Sequence, residues 1–249
     1  MLIAVTCDRR SGLAGPGPNE RPSRHEVWVS EHVIDHLRAV GLTPILLPPG
    51  GTEIDLVMGV VSGVVVTGGA FDIHPSHYGE SISASRIDRV DEARTGLELA
   101  MVRECRRRRT PLLGICGGMQ AMAVALGAGL IQDLQEHARR TGMPLVEHEQ
   151  THDPAFTGHE IVCSPGWEWL GREVNSTHHQ AVNPEKLGAA QVVALAPDGT
   201  IEAIICKEAP MLGVEWHPEL VSAPGSCEVF AAFANVLRGG AYHPPGHRG

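Results

Sequence analysis

The sequence predicts an α/β fold in a single domain, with a mostly parallel central sheet, helices on both faces and added antiparallel strands. Three observations carry this. Strand-like apolar runs at 2–7, 44–47, 63–67 and 111–115 alternate with helical patterns at 26–40, 88–109 and 117–126, the order that builds a parallel sheet covered by helices. Short β-rich segments near 159–163, 191–196, 200–206 and 211–215 then follow one another around turns such as Pro197-Asp198-Gly199, before a last helix at about 226–238. The 249 residues suffice for one large α/β core, and neither an internal repeat nor an interdomain linker is visible.

Taken in order, Met1-Leu2-Ile3-Ala4-Val5-Thr6-Cys7 lacks the basic start of a secretory leader and reads as a first strand entering the core. The Gly-, Pro- and Arg-containing stretch from Arg9 to Arg24 is a loop at the same sheet edge, either facing a substrate or simply connecting. The 88–109 helix opens on Asp88, Asp91 and Glu92 and closes on Arg106-Arg107-Arg108-Arg109, as the helix dipole prefers, so the basic run is a solvated helix end. The tail 239–249 cannot continue a helix and is expected to be loose.

Composition removes several function classes. The net charge of −9 argues against nucleic acid as a partner, and no apolar run reaches the ~18 residues of a membrane span. The six cysteines lie far apart with no C-x-x-C pair, which suggests neither a disulfide framework nor a cysteine zinc site; reduced thiols in the cytoplasm are expected. Among the fourteen histidines, His74 with His77 and His148 with His152 invite a metal reading. Zinc needs three or four convergent ligands, and these pairs lie in loop-like sequence, so no metal is expected.

The chemistry points to Cys116. Pro111-Leu112-Leu113-Gly114-Ile115-Cys116-Gly117-Gly118-Met119-Gln120 drives an apolar strand into a glycine-flanked cysteine, and an alanine-rich helix follows. This is the pattern of a nucleophile elbow, where a strained strand-to-helix turn requires small neighbours and the helix N-terminus favours a thiolate. A buried cysteine beside a tight turn fits the same segment. In open parallel sheets ligands bind beyond strand C-termini, and there the sequence also places Thr67-Gly68-Gly69 and Trp216-His217-Pro218-Glu219. His217 can take and return the nucleophile's proton, and Glu219, two residues on in an extended segment, can orient the ring. Backbone N–H groups of Gly69 and Gly117 are candidate oxyanion donors. Taken alone, the glycine pair is a tight turn and His-Pro-Glu an ordinary strand end.

Together these residues resemble the class I glutamine amidotransferase superfamily, with its G-x-C-x-G-x-Q elbow and late H-P-E. Within it, the branch of stand-alone γ-glutamyl hydrolases, peptidase C26 type, is closer still. Its T-G-G motif resembles Thr67 to Glu80, its H-H-Q-A-V resembles His178-His179-Gln180-Ala181-Val182, and its G-V-[QE]-W-H-P-E resembles Gly213 to Glu219. The resemblance implies a glutamine amidotransferase-like domain that cleaves a γ-glutamyl amide such as γ-glutamyl-γ-aminobutyrate. It would use a Cys116-His217-Glu219 triad and a thioester, without metal or organic cofactor. Gln120, His178, His179 and Gln180 would face the glutamyl group. The branch carries arginine directly after the nucleophile, where this chain has Gly117. The implied partner is a small-molecule substrate, with no obligate synthetase and a homo-oligomer left open. A glutaminase subunit feeding ammonia to a synthetase shares the triad, and a non-catalytic redox sensor would need the cysteine but no proton shuttle.

Overall fold

The computed structural model describes residues 1–11, 25–222 and 227–243. In chain order the first half runs β1 (Leu2–Thr6), β2 (Asp8–Ser11), β3 (His25–Trp28), α1 (Glu31–Ala39), β4 (Thr43–Leu47), α2 (Ile54–Met58), β5 (Gly63–Val66), α3 (Glu92–Arg108), β6 (Leu112–Ile115) and α4 (Gly117–Ala125). The second half runs β7 (Leu130–Ile131), α5 (Leu134–Thr141), β8 (His159–Glu160), β9 (Val162–Cys163), β10 (Glu173–Val174), β11 (Ala181–Val182), β12 (Ala190–Leu195), β13 (Ile201–Cys206), β14 (Met211–Val214), α6 (Pro218–Val221) and α7 (Glu228–Leu237).

One eight-stranded sheet, in the order β4-β1-β5-β6-β14-β13-β12-β9, carries the molecule. The pairs from β4 to β14 are parallel, and β13, β12 and β9 join antiparallel. Alternation along the parallel strands sorts the core into two layers. Ile3, Val5, Val65, Leu113 and Ile115 pack with Val33 and Leu37 of α1 and Phe230 and Phe233 of α7. Ala4, Val64, Val66 and Leu112 face Leu99, Met101 and Val102 of α3 and Met119 and Met122 of α4. This is the expected mostly parallel sheet with helices on both faces and an antiparallel extension. Among the described residues, no helix is long and apolar enough to cross a membrane.

Local chemistry sets the boundaries. The Asp91 carboxylate accepts the Arg94 N–H at 3.0 Å and starts α3, and Asp133 does the same for the Glu136 N–H of α5 at 2.7 Å. Between β12 and β13, Gly199 takes φ 89° and Asp198 accepts the Thr200 N–H at 2.9 Å, closing the expected turn.

Three expectations change. The helix predicted from residue 26 begins at Glu31, because His25–Trp28 forms a hairpin with Asp8–Ser11 that the aromatic and β-branched side chains favour. Residues 12–24 of the predicted loop lie outside the described residues. The strand predicted at 159–163 is split into β8, paired with β10, and β9, paired with β12. The tail begins docked: the Tyr242 hydroxyl donates to the carbonyls of Leu112 at 2.6 Å and Pro210 at 3.1 Å, and the Asn235 side chain donates to those of Ala241 and His243. Residues 244–249 lie outside the described residues.

Two glycines test the packing that the sheet imposes. A Cβ on Gly118 would stand 2.0 Å from the Val66 carbonyl oxygen, a backbone atom that cannot step aside, so Gly118→Ala is expected to cost ~3 kcal/mol or more. Gly96, exposed on α3 with open space around it, is the control; Gly96→Ala is expected to gain ~0.5–1 kcal/mol. Urea denaturation of both variants checks the pair.

Candidate active site

Strand β6 ends at Ile115, and Cys116 turns into α4 at φ 50°, ψ −114°. Among the described residues only Arg109 shares its positive φ without being glycine. Such strain costs ~1–3 kcal/mol and persists only where the surroundings over-determine it. Here they do. The Cys116 N–H donates to the Val214 carbonyl at 2.8 Å, and the Cys116 carbonyl accepts the N–H groups of Met119 at 2.8 Å and Gln120 at 3.1 Å. A Cβ on Gly114 would lie 2.6 Å from the Gly118 oxygen, so both elbow glycines are required by close backbone approach.

His217 follows β14, the strand beside β6, and a second chain segment grips it. The His217 N–H donates to Asn175 Oδ1 at 2.8 Å, and Asn175 Nδ2 donates to the His217 carbonyl at 3.0 Å. Ring Nδ1 lies 2.9 Å from Glu219 Oε1, a carboxylate whose side chain is 4 % exposed. The opposite ring edge faces the cysteine across Gly68. A Cβ there would sit 2.8 Å from His217 Cε1 and 3.2 Å from Cys116 Cβ, so the ring stands against the cysteine side chain. The predicted extended geometry for His217-Pro218-Glu219 is replaced by a turn, because Pro218 takes the first position of α6 and its fixed φ starts a helix. Burial alone would lower the His217 pKa, but the Glu219 carboxylate and the Cys116 sulfur outweigh it and hold the ring well above its ordinary value. A raised imidazole contributes stability that is present in full below the unfolded value near ~6.5 and lost as pH rises through the folded one.

The Thr67-Gly68-Gly69 turn rests on a buried cation that sequence reasoning missed. Arg94, fully buried on α3, donates to the carbonyls of Thr67 at 2.7 Å and Gly68 at 3.0 Å. The same guanidinium pairs with Glu98 at 2.8 Å and Asp8 at 3.2 Å, and stacks on Phe71 at 4.1 Å. A Cβ on Gly69 would meet Arg94 at 2.4 Å, whereas one on Gly117 would make ordinary 3.4 Å contact with the Phe71 ring. The readable signal was an i,i+4 Arg–Glu pair on a helix face shared with Leu97 and Met101.

Gly69, Cys116, Gly117, Gln120, His178, His179 and Gln180 line one cleft of about 230 Å³, smaller than the ~300–1,000 Å³ typical for drug-sized ligands and suited to an amino-acid-sized group. Their polar atoms are partly committed. Gln120 Nε2 donates to the Gln180 carbonyl at 3.1 Å and to Glu215, whose carboxyl burial pushes up to about 8. His179 Nε2 meets Asp72 at 2.9 Å, and Asp72 also accepts the Asp88 N–H at 2.6 Å, organising the loop beyond Gly69. Arg86 bridges Asp88 and Glu149 at the rim, and its hydrogen bond holds the Asp88 carboxyl below its usual range. Neither suspected histidine pair converges. His74 turns to Ser76, His77 to Glu92, and His152 to the Thr157 carbonyl, while His148 points inward toward His159, His178 and Glu202.

Two outcomes follow from these contacts. Arg94→Ala leaves Glu98 buried without its cation, while Asp8 keeps Arg89, and is expected to cost ~3–5 kcal/mol in denaturant unfolding. In Glu219→Gln the charge that raises His217 is gone, so NMR titration of that ring is expected to move down toward ordinary histidine values.

A model of the peptidase C26 family matches residues 1–219. The chain is 32% identical over 216 residues to the glutamine amidotransferase-like protein YvdE of Lactococcus lactis, covering 84% of this chain and 88% of that one. It is 29% identical over 211 residues to the gamma-glutamyl-gamma-aminobutyrate hydrolase PuuD of Escherichia coli, covering 77% and 78%. The solved glutamine amidotransferase of Thermotoga maritima shares the fold, with a TM-score of 0.53 at 15% identity over 88% of this chain and 76% of that one. The chain therefore belongs to the peptidase C26 family, within the class I glutamine amidotransferase-like fold.

Proposed function

We propose that the protein is a hydrolase that cleaves γ-glutamyl amides, γ-glutamyl-γ-aminobutyrate or a related γ-glutamyl amine, through a covalent thioester on Cys116. The observation that carries this is the juxtaposition, across Gly68, of a strained cysteine at the start of α4 with an imidazole that meets a buried carboxylate at 2.9 Å. The family match and the likeness to PuuD favour hydrolysis.

In the proposed reaction the Cys116 sulfur attacks the γ-carbonyl carbon, and the N–H groups of Gly69 and Gly117 receive the negative oxygen. Protonated His217, oriented by Glu219, gives its proton to the departing amine nitrogen as the C–N bond breaks. A water then enters, His217 takes its proton, the hydroxide carbon–oxygen bond forms, and thioester cleavage returns the sulfur and releases glutamate. None of these steps calls for an organic cofactor. The mixed charges at the cleft, Asp72, Asp88 and Glu149 against Arg86, suit the ammonium and carboxylate of a glutamyl group. Gln120, His178, His179 and Gln180 complete that wall, with Gln120 fixing it through Glu215 and Gln180. Gly117 in place of the branch's arginine leaves the mouth of the cleft to Phe71 and affects the choice of amine. The six unpaired cysteines suit a reducing cytoplasm.

Cys116→Ala is expected to abolish glutamate release from a panel of γ-glutamyl amines while circular dichroism and Tm stay near wild type. The wild-type chain is expected to turn over alone, with no synthetase added. Release by the variant at a near-normal rate contradicts the reading, and wild-type activity that appears only with a synthetase points to the coupled glutaminase.

A further inference from the structure

Behind the cleft wall, four side chains from separate parts of the chain meet in the interior. His148 precedes the isolated bridge of Glu149 with Thr177, His159 lies in β8, His178 lies between β10 and β11, and Glu202 lies in β13. Their side chains are 5 % exposed or less, and one donor atom from each lies within 4.8 Å of every other.

The outward ring atoms decide which inward atoms carry lone pairs. His148 Nε2 lies 2.9 Å from Asp198 Oδ2, His178 Nδ1 lies 2.9 Å from the Gln180 carbonyl, and His159 Nδ1 lies 3.0 Å from the Glu160 carbonyl. Carboxylates and carbonyls accept only, so each of those nitrogens bears the hydrogen, and in the neutral rings His148 Nδ1, His159 Nε2 and His178 Nε2 present lone pairs. The Ser176 hydroxyl, near His148 Nδ1, donates instead to the His148 carbonyl at 2.9 Å. Facing these nitrogens is Glu202, wholly buried, whose ion-pair partners among the described residues are these three histidines alone. His159 Nε2, His178 Nε2 and both Glu202 oxygens have no hydrogen-bond partner.

Distance separates the two ways to supply the positive charge that a buried carboxylate requires. Protonated imidazoles would close on it as charged hydrogen bonds of ~2.7–2.9 Å. Glu202 Oε1 instead stands 3.5 Å from His148 Nδ1, 3.4 Å from His159 Nε2 and 3.7 Å from His178 Nε2. Tetrahedral zinc with bonds of ~2.0–2.1 Å has donor–donor edges of ~3.3–3.4 Å, so the four atoms reach a central ion by shifts of ~1 Å or less.

We propose that His148, His159, His178 and Glu202 form a closed tetrahedral site for a divalent transition metal, zinc by its donor set. Three imidazoles and one carboxylate, with no solvent-facing position, make this a structural rather than a hydrolytic centre. Asp198 and the two carbonyls orient the rings, as partners of metal-bound histidines do. The ion would tie the 142–180 segment, whose strands are two residues long, to β13. Through His178 it would also fix the wall of the cleft beside Cys116. The proposal is independent of the reaction assigned to Cys116, because its readouts are metal content, spectrum and stability.

Tag-free protein, stripped with a chelator and dialysed, is titrated with zinc alone in a metal-buffered solution, and cobalt(II) is added to a second sample. The expected results are uptake of one zinc per chain, a rise in Tm, and the intense visible absorption of tetrahedral cobalt. Glu202→Gln, which keeps the shape, and His159→Asn are expected to remove the cobalt spectrum and the zinc-dependent Tm shift. Asp198→Asn is expected to weaken zinc binding ~10–100-fold. The proposal is overturned if the folded wild-type chain takes up no zinc and its Tm ignores the metal, which leaves protons as the countercharge. Undiminished binding by Glu202→Gln and His159→Asn also overturns it, since the ion then sits on other groups.

Discussion

The candidate cleft follows from how closely the backbone of α4 approaches the ends of β5 and β6. The Val66 carbonyl occupies the space that a side chain at 118 would need, and the Gly118 oxygen occupies that of a side chain at 114. This contact forces the chain to reverse at Cys116 and fixes its left-handed φ. Parallel pairing then distributes the remaining groups. Gly213 opposite Gly114 and Val214 opposite Ile115 set β14 beside the elbow, so that His217 emerges next to the sulfur; β5 delivers Gly68 and Gly69 from the other side. Convergence of residues a hundred positions apart is thus a consequence of sheet register.

Buried charge supports this frame on two flanks. Arg94 holds the Gly68 turn from below through carbonyl bonds while Glu98 and Asp8 balance it. Glu202 and Glu215 lie behind the opposite wall, each in contact with His178. Hydrophobic residues of similar volume could often replace such groups with no loss of stability. Their placement at the two backbone segments that face Cys116 is the pattern expected where position matters more than folding energy.

Much of the fold was legible because its signals are local. Apolar runs alternating with helical periodicity gave the parallel strands, the acidic start and arginine end marked α3, and Pro197-Asp198-Gly199 marked the β12–β13 turn. The short strands β7, β10 and β11 and the helices α2 and α5 carried too little periodicity to be read. Glycines around Cys116 marked the elbow, because only close backbone contact requires them there. Asn175 was not legible as a site residue, and of Arg94 only the i,i+4 pairing with Glu98 could be read. Their task is to hold backbone atoms of His217 and Gly68, and nothing in their own sequence neighbourhood records those distant partners. The histidine cluster was missed for the same reason: the suspected neighbour of His148 was His152, whereas its spatial partners, His159, His178 and Glu202, lie 11, 30 and 54 positions further along the chain. Pro218 misled locally, since a restrained extended dipeptide and the first turn of a helix begin with the same φ.

In the proposed reaction, carbon–nitrogen cleavage passes through a bond to one sulfur. Rapid acid quench after mixing the intact protein with a γ-glutamyl amide, followed by peptide mass spectrometry, tests it most directly. A γ-glutamyl mass that forms and decays with turnover is expected on the peptide containing Cys116. Steady release of glutamate with Cys116 unmodified at every quench time, while the adduct is shown to survive the acid, would contradict it.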